Sequence, residues 1–229
     1  MAITRVQGNA RGTSTTATIS VTIASTPISG NVLVAGIAAC KYGAYVTVNS
    51  ITQTGVTWTK QISKSYKTYT YVTTEIWFGV VGDGASTTVT IALSSDAGYG
   101  GIADICEYSG VATTDFLDKT ATLGGYTNAP KTGTTATTTQ ADELWIGSII
   151  ATGGQTTPIN GFTLLDGVVY QVVSEAYLEK IVSTTGTAGS GTSTSSSTDW
   201  AGCIATFKAA AAGPTTKKYF GDGLVWIVQ

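Results

Sequence analysis

Apolar residues recur at every second position through much of the chain. Ile19, Val21 and Ile23 alternate with polar neighbours between Ala17 and Ala24, and Thr87–Leu93 repeats the pattern. A period of two sends alternate side chains to opposite faces of a strand. Asn31–Cys40 and Asp142–Thr152 are apolar almost without interruption, as expected of strands covered on both faces. Further strands are predicted over 46–51, 56–62, 69–81, 101–108, 119–123, 132–138, 162–165, 168–183 and 201–209. Turn formers separate them, among them Thr54-Gly55 and Gly82-Asp83-Gly84. Short strands at this spacing predict an all-β, jelly-roll-like antiparallel β-sandwich over residues 1–208, built as a single domain.

The strand pattern also repeats. Asn31-Val-Leu-Val-Ala-Gly-Ile-Ala-Ala resembles Asp142-Glu-Leu-Trp-Ile-Gly-Ser-Ile-Ile, with Gly36 matched to Gly147. Val56-Thr-Trp matches Phe162-Thr-Leu, Thr74-Glu-Ile-Trp matches Ser174-Glu-Ala-Tyr, and Ile105-Cys-Glu-Tyr matches Ile204-Ala-Thr-Phe. The order of elements is kept throughout, so a weak internal duplication is expected, with two related four-strand sets sharing one core. Ser183–Asp199, almost wholly Gly, Ser and Thr, reads as a long exposed loop or a weak outer hairpin.

Composition narrows the function classes. Among 229 residues there are 43 threonines and 28 glycines, no histidine, and only 11% charged side chains with a net charge of −2. Threonine suits a pleated, half-buried surface. The lack of histidine excludes histidine-dependent triads and His-ligated metals, and the near-neutral charge argues against nucleic-acid binding. Cys40, Cys106 and Cys203 are too scattered for a zinc ribbon or a disulfide framework, and read as small buried hydrophobes on strands. The N-terminus carries no signal-peptide pattern, and the longest apolar runs are too short to span a bilayer as helices. The expected setting is therefore a virion or extracellular surface, without membrane insertion.

Three groups of residues are candidates for chemistry. Glu75, Asp104, Glu107, Glu175 and Glu179 could supply the paired carboxylates of a glycosidase. Glu75 and Glu175 fall at matching places in the repeats, which reads better as structural hydrogen bonding. Asp-Gly sequences at 82–84 and 221–223 read as turns rather than calcium loops, and no cofactor or metal is expected. In Tyr69–Val80, period two puts Tyr69, Tyr71, Thr73, Glu75 and Trp77 on one face, opposite a core set containing Val72, Ile76 and Phe78. That aromatic ladder is open to three readings: cover by another part of this chain, a subunit or partner interface, or a sugar-stacking surface.

The tail after Gly213-Pro214 stands apart. Residues 209–218 read as a linker. Residues 219–229 read as a detached, apolar docking strand with Tyr219, Phe220, Leu224, Trp226 and Val228 as its interface.

Several short motifs carry a resemblance over about residues 1–208: Ile3-Thr-Arg-Val-Gln, Ser25-Thr-Pro, Gly30-Asn-Val-Leu-Val-Ala, Glu75-Ile-Trp-Phe and Glu107-Tyr-Ser-Gly-Val-Ala. The chain resembles β-sandwich modules of phage structural proteins and surface-exposed bacterial proteins. The resemblance implies a jelly-roll-like fold and a virion or cell-surface setting, with no catalytic residues to carry over. The expected function is a non-enzymatic virion structural protein, a capsid, capsid-decoration or tail-surface subunit that associates with copies of itself. The alternative is a carbohydrate- or host-receptor-binding module using Tyr69, Tyr71, Glu75 and Trp77.

Overall fold

The computed structural model describes residues 2–211, together with the backbone of Thr216–Tyr219 and Val225–Val228. Among the described residues every regular element is a β-strand. The first half holds β1 (Thr4–Ser14), β2 (Thr18–Thr22), β3 (Val32–Lys41), β4 (Val48–Thr52), β5 (Val56–Tyr66), β6 (Tyr71–Val81), β7 (Thr88–Leu93) and β8 (Gly100–Ser109). The second holds β9 (Leu117–Thr127), β10 (Lys131–Thr137), β11 (Asp142–Thr152), β12 (Thr163–Asp166), β13 (Val169–Tyr170), β14 (Val173–Ser183), β15 (Thr187–Gly191) and β16 (Thr198–Lys208).

Each half rolls one long hairpin across two sheets. In the first, β1 pairs with β8, β2 with β7 and β3 with β6, each pair nested inside the last in sequence. In the second, β9 pairs with β16, β10 with β15 and β11 with β14. The inner sheets run β1-β8-β3-β6-β5 and β9-β16-β11-β14-β12, the same order with repeat-equivalent strands. The outer sheets are β2-β7-β4 and the shorter β10-β15. This antiparallel β-sandwich carries the expected duplication.

The sheets stack in four layers, outer–inner–inner–outer. One hydrophobic cluster joins Ile19, Val21, Val89 and Ile91 of the first outer sheet to Leu33, Ala35, Ile37 and Trp77 of its inner sheet. Two further clusters lie between the inner sheets, where Val34, Ile76 and Phe78 meet Ile146, Tyr177 and Phe207, and Ala38 and Ile102 meet Ile150 and Val173. A fourth packs Trp145, Ile149 and Ile204 against Phe162 and Ala188. The two repeats therefore do not share one core: each closes its own, and a third forms between them. This layering is why β3, β8, β11 and β16 are buried along almost their whole length, whereas β2 alternates between buried and exposed positions.

The ladders correct the alignment of the repeats by one residue. Ala35 lies opposite Trp77 and Ile105, whereas Gly147 lies opposite Leu178 and Ile204. Ile105 and Ile204 both face their own outer sheet, so Gly147 corresponds to Ala35 and not to Gly36. By the same register Glu75 corresponds to Ala176, and Glu175 to Thr74. Because the side-chain period is two, a slip of one residue moves a side chain to the other face.

Two strands differ from the sequence expectation. β1 is polar and its period is broken, so it carries no strand signal, yet it closes the edge of an inner sheet against β8. β15 falls in the segment expected to be a long exposed loop or a weak outer hairpin; it is an outer strand, but it pairs with β10 and buries Ala188 and Ser190. Its glycines permit this: a Cβ at Gly189 would lie 2.9 Å from Thr134 Oγ1 and 3.0 Å from the Gly133 carbonyl oxygen. All three cysteines are buried free thiols, as expected.

Beyond Ala211, β17 (Thr216–Tyr219) and β18 (Val225–Val228) pair with each other as an antiparallel two-stranded sheet. Phe220 and Leu224 of the predicted docking set lie outside the described residues, as do the side chains of Tyr219, Trp226 and Val228.

Candidate functional site

The predicted aromatic face is divided by the fold. Glu75 and Trp77, 1% and 8% exposed, lie beneath the first outer sheet. Glu75 accepts hydrogen bonds from the Val48 amide at 3.1 Å and the Trp77 indole at 2.8 Å, and Lys60 Nζ stands 3.0 Å from it. The pair is thus covered by another part of this chain, because sheet β2-β7-β4 packs over this face of β6, and it is removed from any ligand surface. Tyr69 and Tyr71 are different. They lie at and before the start of β6, beyond the cover of that sheet, and Tyr69 is 69% exposed.

The strand ends bring further tyrosines to the same place. Lys41, the last residue of β3, pairs with Tyr71, so the connection from β3 to β4, with Tyr42 and Tyr45, leaves beside β6. Tyr45 meets Tyr71 edge to face, with ring centroids 5.0 Å apart. Lys67 Nζ donates to the Tyr71 hydroxyl at 2.9 Å and lies 4.4 Å from the ring centroid. Tyr69 meets Tyr126 of β9 at 5.1 Å, across the boundary between repeats. Tyr99 enters from the connection between β7 and β8, its amide donating to the Cys40 carbonyl at 3.1 Å. Tyr42, Tyr45, Tyr69, Tyr99 and Tyr126 are each exposed by more than a third.

The loop that presents Tyr69 is held from beneath. Asp199, 3% exposed at the start of β16, accepts the backbone N–H groups of Thr68, Tyr69 and Thr70 at 2.8, 2.7 and 2.6 Å. Hydrogen bonds to a charged acceptor are shorter and stronger than neutral ones, so the turn is fixed to the other repeat's strand. Behind it, Tyr66 packs on Gly124, where an added Cβ would lie 2.9 Å from the ring. Rigid aromatic anchors on an ordered turn present contact area with little ordering cost on binding.

The remaining candidate carboxylates are dispersed inside the protein. Glu107 accepts from the Ile28 amide at 2.8 Å and from Asn31 Nδ2 at 2.7 Å. Glu179 lies 3.6 Å from Arg5. Glu75 faces its own outer sheet and Glu175 faces the opposite inner sheet, so they do not form a pair flanking a bound sugar. Asp104 and Glu175 do come together, between the inner sheets and without exposure. Asn9 donates to Asp104 at 2.7 Å and Ser148 to Glu175 at 2.6 Å. Burial pushes Asp104 up to about 8 and Glu175 well above the usual carboxylate range, and the charges of neighbouring carboxylates add to the rise.

Sequence reasoning missed Tyr42, Tyr45, Tyr99 and Tyr126. They lie in three separate connections and strands, and only the excess of tyrosine beside Gly, Ser and Thr marks them beforehand. No protein-family model matches this chain, nor does any curated sequence or solved structure with which it was compared. The class to which fold and site assign it is an all-β, duplicated antiparallel sandwich with a tyrosine-rich end.

Proposed function

We propose that this chain is a non-enzymatic surface-binding module whose tyrosine-rich end stacks carbohydrate. The observation that carries the reading is the set of exposed rings, Tyr42, Tyr45, Tyr69 and Tyr126 among them, gathered at one end on a turn fixed by Asp199. Sugar rings present apolar C–H faces and hydroxyl edges, and tyrosine offers a flat apolar face with a polar tip. A surface whose polar groups are mostly hydroxyls and amides matches an uncharged ligand better than a nucleic acid or an ionic peptide. A glycan array with the full chain, and with Tyr69→Ala and Tyr126→Ala, tests this. The expected result is glycan retention that falls at least tenfold in both variants while their melting temperatures stay that of the parent. Absence of retained glycan, or retention indifferent to both substitutions, overturns it.

A second observation favours a structural role in a virion or other assembly. β17 and β18 pair with each other and with no other described strand, and an isolated two-stranded hairpin is marginal in water. A neighbouring copy of this chain or another virion protein would supply the missing surface. Truncation after Ala212 is then expected to leave a folded monomer that no longer associates, read as mass in solution. Unchanged association of the truncated chain overturns this role.

A further inference from the structure

We propose that the two repeats are held together by a carboxyl cluster that keeps a proton in the folded protein, so that the face between the inner sheets is a clamp strengthened by acid and weakened by alkali. Asp104 of β8, Asp166 of β12 and Glu175 of β14 converge there, two from the second repeat and one from the first. The cation facing all three is Arg11 of β1, whose Nη1 lies 2.8 and 3.0 Å from the two Asp166 oxygens. Three ionised carboxylates against one guanidinium would leave two uncompensated negative charges at a site where Asp104 and Glu175 are fully buried and Asp166 and Arg11 are half-buried.

The hydrogen bonds give the same answer. Asp104 Oδ1 takes the Asn9 amide and Glu175 Oε1 takes the Ser148 hydroxyl, but Asp104 Oδ2 and Glu175 Oε2 meet no donor. The group beside Asp104 is the Asp166 carboxyl. A proton shared between these two acids supplies the missing donor and removes one charge, as in other close carboxyl pairs. The other titratable groups facing the cluster are the thiols of Cys106 and Cys203 and the phenol of Tyr177, all held neutral by burial. Tyr108, Glu179 and Arg5 stand further along the same face. Among the described residues, therefore, no second cation stands beside Arg11 on the cluster.

The sign follows from linkage. Asp104 has an ordinary value of 3.8 and is raised to about 8 in the folded chain, so the folded state binds the proton more tightly than the unfolded state. Its contribution to stability is full below about 4 and is lost as pH rises through about 8. The test is the melting temperature of the full chain from pH 4.5 to 9, beside Asp104→Asn, Glu175→Gln and, as an exposed-turn control, Asp83→Asn. The parent is expected to lose more stability between pH 5 and 8.5 than Asp104→Asn, so that the variant gains on the parent by several degrees over that range, while Asp83→Asn follows the parent. Parallel curves for parent and Asp104→Asn overturn the proposal. A measurement without substitution stands beside it: the infrared carbonyl band of a protonated carboxyl in the folded parent at pH 6. Its presence is expected, and its absence equally overturns the proposal.

Discussion

Glu175 occupies the space that a side chain at Gly36 would fill. A Cβ built on Gly36 collides with Glu175 Oε1 and lies 2.8 Å from the ring of Tyr177, whose hydroxyl donates to the Val34 carbonyl at 2.8 Å. The two inner sheets therefore touch through a backbone on one side and a carboxyl and a phenol on the other.

Gly36→Ala is accordingly expected to force these sheets apart. Overpacking of a filled interior costs about 1–3 kcal/mol, and each kcal/mol lowers the melting temperature of a chain this size by roughly 2–4 °C. Gly98→Ala, where an added Cβ meets nothing within 4 Å, is expected to stay within about 0.5 kcal/mol of the parent. Thermal unfolding of the two variants side by side checks the contrast.

The fold divides the predicted aromatic face into buried and exposed side chains. Trp77→Ala empties a buried site and removes the indole donor to Glu75, so a loss of about 3–5 kcal/mol is expected from the truncation of a large buried side chain. Tyr69→Ala removes an exposed ring and is expected to change stability by less than about 0.5 kcal/mol. Denaturant titration of the two variants distinguishes them.

Asp199→Ala leaves three backbone N–H groups at 68–70 without their acceptor. Loss of hydrogen bonds to a charged group costs about 1.5–3 kcal/mol, and the loss here falls on one turn. Amide hydrogen exchange is expected to speed at Thr68, Tyr69 and Thr70 far more than in β3 or β11. Uniform acceleration across the sheets would mean that Asp199 serves the fold as a whole and not the turn.

The thiols are expected to be silent. Burial pushes Cys40 and Cys106 up to about 12, with the charge of Asp199 adding to the rise at Cys40, and burial raises Cys203 well above its ordinary value. Thiolate is the reactive form, so a thiol-specific reagent at pH 8 should label none of the three in the folded chain and all three after unfolding. Labelling of the folded chain would mean that the inner sheets open on the timescale of the reaction.

Sequence alone determined the strand class, most strand positions and the existence of a repeat, because alternation and continuous apolar runs are local consequences of how a strand meets its surroundings. Asn31–Cys40 and Asp142–Thr152 announced sheets covered on both faces, and both are inner strands. Alternation says that residues change faces, but not which face receives which sheet. The sequence pattern therefore aligns the repeats one residue out of register at Gly36 and matches Glu75 to Glu175, although they face different layers. β1 is not legible in the sequence, and β15 only as a loop or weak outer hairpin, because an edge strand rich in Asn, Arg and Gln, and a strand of Gly, Ser and Thr, owe their order to neighbours distant in sequence. The tyrosine-rich end is legible only at Tyr69 and Tyr71. Its other tyrosines, and the convergence of Asp104, Asp166 and Glu175, depend on how two rolled hairpins stack, and that is decided by tertiary packing, where a side chain's partner can lie more than a whole repeat away in the chain, as Asp166 does from Arg11.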